Sequence, residues 1–321
     1  MDTFQKGSWL LAAALFVSPS FAQLSFVPAT RMTNGEAYLR LLVPAGTLAQ
    51  VDVSTNLTDW NVFLTVGAGT LSHTDTFAPF LPGRYYRASQ APAGTMTGDH
   101  IPTTNGDLVI HPVTHASFVM TWNGITIYND PDTGTYTGLP KADLILISHD
   151  HDDHWDNTVI GNNKNNPVII ITPKAVTNLL TASLRPSCIV LTNGATTTAL
   201  GIQIEAVPAY NPTTGGTIYH SKGVGNGYVL TLGGKRIYMS GDTGDIPDTR
   251  ALQNIDVAFL CMNVPYTMTV AQAASVTRAF APKVVYPYHF RNGDNTYANL
   301  NTFKSTVGSD LPIEVRIRKW Y

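Results

Sequence analysis

Six ionisable residues follow one another in His149-Asp150-His151-Asp152-Asp153-His154, one residue after the apolar run Leu144-Ile145-Leu146-Ile147. Such a run cannot be core, because burying unpaired charge costs more than packing returns. It must line a solvated surface or hold metal. Imidazole and carboxylate donors suit zinc, and also iron or manganese. In a tight loop His149 and His151 can face one ion while Asp153 and His154 face another.

Further donors arrive farther along the chain. The apolar run Arg236 to Ser240 leads into Gly241-Asp242-Thr243-Gly244, which places the Asp242 carboxylate at a strand end beside flexible glycines. Val284-Val285-Tyr286-Pro287-Tyr288 then delivers His289 at another strand terminus. One Asp or His after a strand means little. Three such deliveries in this order are specific.

The elements that must position these residues read as apolar strands with helices between them. Strands are expected at 107–111, 116–122, 125–128, 144–147, 168–171, 202–207, 228–232, 236–239, 257–261 and 284–286, with a two-residue hairpin turn at Asn123-Gly124. Helices are expected at Lys174–Leu184 and Thr269–Ala281. Ahead of this domain, residues 23–90 show short β-type runs between turn residues and read as a small all-β sandwich. It resembles a β module common on exported bacterial proteins, through Val51 to Trp60 and Arg84-Tyr85-Tyr86-Arg87. A Pro-, Gly- and Thr-rich stretch, 91–106, reads as a linker to a catalytic domain at 107–321. Residues 1–22 read as a signal peptide: Lys6, the apolar run Trp9 to Val17, and Ser20-Phe21-Ala22 before a cut at Gln23. A secreted or periplasmic protein without stable membrane insertion is expected. His73 and His100 are expected at the surface. Cys188 and Cys261 sit in apolar runs and are expected as buried free thiols.

The order of these residues resembles the metallo-β-lactamase superfamily, whose HxHxDH motif matches His149, His151, Asp153 and His154. The resemblance spans roughly Gly106 to His289. Within the superfamily it looks like the branch with ascorbate phosphate lactonases and the phospholipase D acting on N-acyl phosphatidylethanolamine. The segments that carry it are His115-Ala116-Ser117-Phe118, Leu139 to Asp143, Gly241-Asp242-Thr243 and Tyr266-Thr267-Met268. It implies a mixed α/β chain whose catalytic domain is a four-layer αββα sandwich. It also implies two divalent ions, zinc foremost with manganese or iron as alternatives. Asp242 would bridge them, and His289 would complete the second site with Asp153 and His154. The sequence departs from the pattern after the strand at 202–207, where a further histidine is usual and Asn211 stands instead. His220, in the following loop, is the favoured third ligand of the first ion. His115 is the second choice, and Asn211 a weak neutral donor.

With two ions bound, a hydroxide forms near neutral pH, since coordination lowers the pKa of water from 15.7 to about 7. Asp153 would orient that nucleophile and Tyr266 would donate to substrate. An ester, lactone or phosphodiester is the expected small-molecule substrate, with Lys141, Lys222 and Arg291 as possible phosphate contacts. A formal net charge of −2, with charged residues at 13%, gives no electrostatic case for nucleic acid. The competing expectation is a non-catalytic, metal-bearing binding protein of the cell envelope.

Overall fold

The computed structural model describes residues 24–212 and 217–321, so the expected signal peptide lies outside the described residues. The chain divides between Pro102 and Thr103 into two compact units. The first contains β1 (Ser25–Arg31), β2 (Ala37–Val43), β3 (Ala49–Ser54), β4 (Asn61–Val66), β5 (Gly69–Asp75), β6 (Tyr85–Gln90) and β7 (Gly98–Ile101). Strands β1, β2 and β5 form one antiparallel sheet, and β7, β4, β3 and β6 are hydrogen-bonded antiparallel in that order. Strict alternation in β2 turns Ala37, Leu39, Leu41 and Val43 inward, where they pack in one cluster with Val51, Phe63 and Tyr86.

Two expectations for this unit need correction. The stretch 91–106 holds strand β7, whose Gly98 and Asp99 pair with Thr65 and Leu64. His73 and His100 are both buried rather than at the surface. His73 meets the Phe63 ring edge-on, and His100 Nε2 lies 2.9 Å from Thr65 Oγ1. In short strands every second side chain turns inward whatever its polarity, so composition misjudges such positions.

The second unit builds two sheets. The first runs β8 (Leu108–Thr114), β9 (Ser117–Trp122), β10 (Ile125–Asn129), β11 (Ala142–Leu146), β12 (Lys164–Thr172) and β13 (Cys188–Val190). The second runs β14 (Thr196–Ala199), β15 (Ile202–Ala209), β16 (Gly225–Leu232), β17 (Lys235–Met239), β18 (Val257–Cys261), β19 (Val284–Tyr288) and β20 (Glu314–Val315). Each begins antiparallel and turns parallel, at β10–β11 and at β17–β18. The parallel strands β18 and β19 are buried at every position, which is why they read as unbroken apolar runs. An aromatic seam joins the sheets: Phe118 of β9 stacks on Phe259 of β18 at 4.1 Å, and Trp320 meets both rings edge-on. Burying each such ring contributes roughly 1.5–3 kcal/mol. The mixed α/β class expected from the sequence is the class observed.

Among the described residues five short α-helices connect the strands: α1 (Asn157–Asn163), α2 (Lys174–Thr177), α3 (Pro247–Arg250), α4 (Val270–Phe280) and α5 (Leu300–Val307). Helix α4 starts at a capping box between Thr269 and Gln272, and its Phe280 lies edge-on to Tyr238 of β17. The helix expected at 174–184 stops after one turn. Thr177 bonds back to the Pro173 carbonyl, and Asn178, Thr181 and Ser183 offer the backbone alternatives to helix. Cys261 is buried, whereas Cys188 is only half-buried because β13 lies at a sheet edge; both thiols are free. No helix among the described residues is long and apolar enough to cross a membrane.

Candidate metal centre

The chemistry-bearing residues gather where the parallel strands of both sheets end. The loop after β11 carries His149, His151, Asp153 and His154. The turn from β8 to β9 carries His115, and the loop after β15 carries Asn211 and His220. Asp242 follows β17 and His289 follows β19. Gly241, at φ +56°, makes the Asp242 turn possible: a Cβ there would come within 2.9 Å of the Asn226 carbonyl and Ser148 Cβ. His115 and His289 also adopt left-handed backbone, φ 53° and 46°. That conformation costs a side chain about 1–3 kcal/mol and persists when its surroundings demand it. Here the His289 amide donates to the His115 carbonyl at 3.1 Å, tying the two turns together.

The donors form two groups that meet at Asp242. In the first, His149, His151 and His220 offer ligand atoms within 4.8 Å of one another. In the second, His154 Nε2 lies 3.1 Å from His289 Nε2, and His289 Nε2 lies 3.5 Å from Asp153 Oδ2. Asp242 turns one oxygen to each group. Its Oδ2 is 3.4 Å from His220 Nε2, while Oδ1 is 3.5 Å from His154 Nε2 and 3.4 Å from His289 Nε2.

These buried atoms suit a cation. His149 Nε2, His220 Nε2 and Asp242 Oδ1 are shut away from solvent without a hydrogen-bond partner. Buried polar atoms without partners are costly, and divalent ions would satisfy all three at once. The opposite ring nitrogens are held from behind. His149 Nδ1 lies 2.9 Å from Ser148 Oγ, and His154 Nδ1 lies 2.9 Å from Asp130 Oδ2. Asp130 also accepts from the Ser148 amide at 2.7 Å and its hydroxyl at 2.9 Å. Carboxylates behind ligating histidines fix the ring and raise its basicity.

Electrostatics separate the two groups. Burial and the neighbouring His154 and His220 push His149 well below the ordinary histidine range. Burial and nearby imidazoles likewise hold His220 at about 3. Burial lowers His289 to about 3 as well, even though Asp153 pulls the other way. These are neutral rings, the form that binds metal. His154 is the exception: burial disfavours its charge, but Asp242 and Asp130 outweigh it and raise it to about 10. Burial lifts Asp242 to about 7 against the pull of His154. Burial would also raise Asp153, but hydrogen bonds from His115 and His289 hold it far below the usual carboxylate range. The His154 proton thus supplies positive charge among three carboxylates.

The alternatives that the sequence left open separate on geometry. His220, rather than Asn211 or His115, lies with His149 and His151. Asn211 faces the wrong way to ligate: its Oδ1 accepts from the Tyr219 and His220 amides at 2.9 and 2.8 Å, and its Nδ2 donates to the Tyr266 carbonyl. It shapes the loop that presents His220. His115 falls on the second group's side, with Nε2 2.9 Å from Asp153 Oδ2. Tyr266 lines a cleft of about 360 Å³ over the centre, together with Tyr219, Asn263, Arg291 and Asn292. Arg291 is the cleft's lysine or arginine contact. Lys222 lies over the Tyr210 ring and 4.0 Å from Asp248, and Lys141 is exposed away from the lining.

Reasoning from the sequence passes over Asp130, Ser148 and Tyr321. Asp130 carried a usable signal, since Asp130-Pro131 follows β10 directly and β10 pairs in parallel with β11. Tyr321 had none, because the hydroxyl it presents to His115 at 2.6 Å lies 206 residues away in sequence.

Comparison with known proteins places the second unit among metal enzymes. Residues 109–289 match the family described as beta-lactamase superfamily domain. A UPF0173 metal-dependent hydrolase of Thermococcus onnurineus is 31% identical over 178 residues, covering 54% of this chain and 78% of that protein. A protein from Parabacteroides distasonis assigned as a metal-dependent hydrolase is 40% identical with a TM-score of 0.64, covering 71% of this chain and all of that one. The metallo hydrolase Igni18 of Ignicoccus hospitalis is 25% identical with a TM-score of 0.55, covering 66% of this chain and 95% of its own.

Proposed function

The chain belongs to the beta-lactamase superfamily and is a metal-dependent hydrolase, and from that premise we propose that it uses two divalent ions to cleave a small ester or lactone. The observation that carries this reading is Asp242, with one oxygen turned to each ligand group. His149, His151, His220 and Asp242 would hold the first ion. Asp153, His154, Asp242 and His289 would hold the second. Zinc suits these nitrogen and oxygen donors best, with manganese or iron next. Bound ions supply a water acidified to a pKa of about 7 and a Lewis acid for the substrate oxygen.

The protein's own groups do the rest. Asp153, half-exposed at the cleft floor and kept ionised, accepts a hydrogen bond from the attacking water and aims it. The Tyr266 phenol and the Asn263 and Asn292 amides offer donors where charge develops on the substrate. The cleft's volume is of the size that suits a small-molecule substrate. Phosphodiester cleavage is the second reading, favoured by Arg291 at the cleft wall. The non-catalytic envelope binder is set aside by the hydrolase relatives.

Metal analysis of the purified protein should find two transition-metal ions per chain; none at all would refute the reading. Parallel assays with a lactone panel and bis(p-nitrophenyl) phosphate separate the two chemistries, with faster lactone turnover expected. We also place the protein outside the cytoplasm, on the strength of residues 1–22. N-terminal sequencing of exported protein should begin at Gln23. The first unit, which lies outside the matched residues 109–289, serves as a spacing or docking module.

A further inference from the structure

Asp153 is the most exposed carboxylate of the centre, with 43% of its side chain open to solvent, whereas Asp242 has 4%. A half-exposed loop carboxylate loses its rotamer readily unless something tethers it. The tether is His115, whose Nε2 lies 2.9 Å from Asp153 Oδ2. Its other nitrogen, Nδ1, lies 2.6 Å from the Tyr321 hydroxyl.

These contacts fix the protons. A lone pair on Nε2 would face an ionised carboxylate oxygen at 2.9 Å, which is repulsive, so Nε2 carries hydrogen and donates to Asp153. Nδ1 is then left to accept from the Tyr321 hydroxyl. Tyr321 is held on several sides. Its ring meets Phe290 and Tyr297 at 5.0 and 5.1 Å, the Arg291 guanidinium lies over it at 5.7 Å, and the preceding Trp320 is 1% exposed. His115 is itself clamped, with the His289 ring 3.8 Å from its own and its carbonyl accepting the His289 amide.

We propose that Tyr321 and His115 are positioning residues for the second ion, with Tyr321 selecting the His115 tautomer that anchors Asp153 Oδ2 and leaves Oδ1, 3.8 Å from His154 Nε2, for the metal. The rival assignment makes His115 a ligand, since its nitrogen also lies within 4.8 Å of donors on Asp153 and His289. The two assignments predict different behaviour. Glutamine keeps a donor for the carboxylate but is a poor transition-metal ligand.

The proposal rests on the two-ion reading, and titration of metal-free full-length protein with Zn²⁺ against a chromophoric chelator tests it. If wild type binds no zinc, the two-ion reading fails. If wild type binds two ions, Tyr321→Phe should weaken the second by about tenfold, with the first ion and the melting temperature unchanged. His115→Ala should weaken the second ion by about 10–100-fold, and His115→Gln should recover most of that loss. Wild-type affinity in Tyr321→Phe would overturn the role of Tyr321. Equal losses in His115→Gln and His115→Ala would overturn positioning and make His115 a ligand. The His115 pair decides between positioning and ligation even if Tyr321→Phe fails to fold.

Discussion

The two ligand groups are built from different materials. The first has three imidazoles and takes its only carboxylate oxygen from Asp242; one member, His151, stands exposed. The second combines two imidazoles with Asp153 and Asp242, and is backed by Asp130, Ser148 and His115. In the first group the His149 and His220 rings are already neutral. The second stores a proton on His154 that an ion must displace. A bimetallic centre can thus hold two similar cations in unlike electrostatic settings, and the shared carboxylate makes it one site.

If that sharing is real, Asp242→Ala should abolish the distinction, releasing both ions and lowering kcat/KM on the order of 10³-fold. Metal analysis alongside steady-state kinetics checks this, and loss of one ion with near-normal turnover would mean that the groups are independent. His220→Ala should act on the first group alone, weakening its ion on the order of 10²-fold while the other stays bound. Competitive chelator titration reads both sites.

The smallest expected effect concerns protons. His220, at about 3, is already deprotonated from about pH 6 to 8 and releases no proton on binding, so the first group's affinity should change with pH only weakly, through the shared Asp242. His154, at about 10, and Asp242, at about 7, are partly or wholly protonated in that window. Binding at the second group must expel those protons, so its affinity should rise with pH, by up to about tenfold per unit for each proton released. Calorimetry in buffers of different ionisation enthalpy counts them. Equal proton release at both groups would remove the contrast.

Much of this centre was legible from residue order. A donor placed at the end of an apolar run must emerge at the sheet rim, which located His149, Asp242 and His289 from the chain alone. The same rule applied to Asp130 would have found it, but an aspartate before proline reads equally well as a turn. His220 was harder, because its place depends on Asn211 Oδ1 accepting hydrogen bonds from the Tyr219 and His220 amides, and such a contact leaves no periodic trace. Tyr321 reaches His115 only through tertiary packing. In the strands the apolar pattern decided β18 to the residue, whereas β13, β14 and β20 are short edge pieces that neighbours rather than propensity create. The short α2 shows local side-chain competition overriding an apolar pattern.

The position of the ligands across the seam has a mechanical consequence. His149, His151, Asp153 and His154 ride on one sheet, while His220, Asp242 and His289 ride on the other, so each ion would rivet the two sheets at their open rim. An ion at about a hundred times its dissociation constant adds about 2.7 kcal/mol per site to the folded state. Stripping the metals would then loosen the sandwich from the active-site end, where the aromatic seam of Phe118 and Phe259 no longer has help in holding the layers shut.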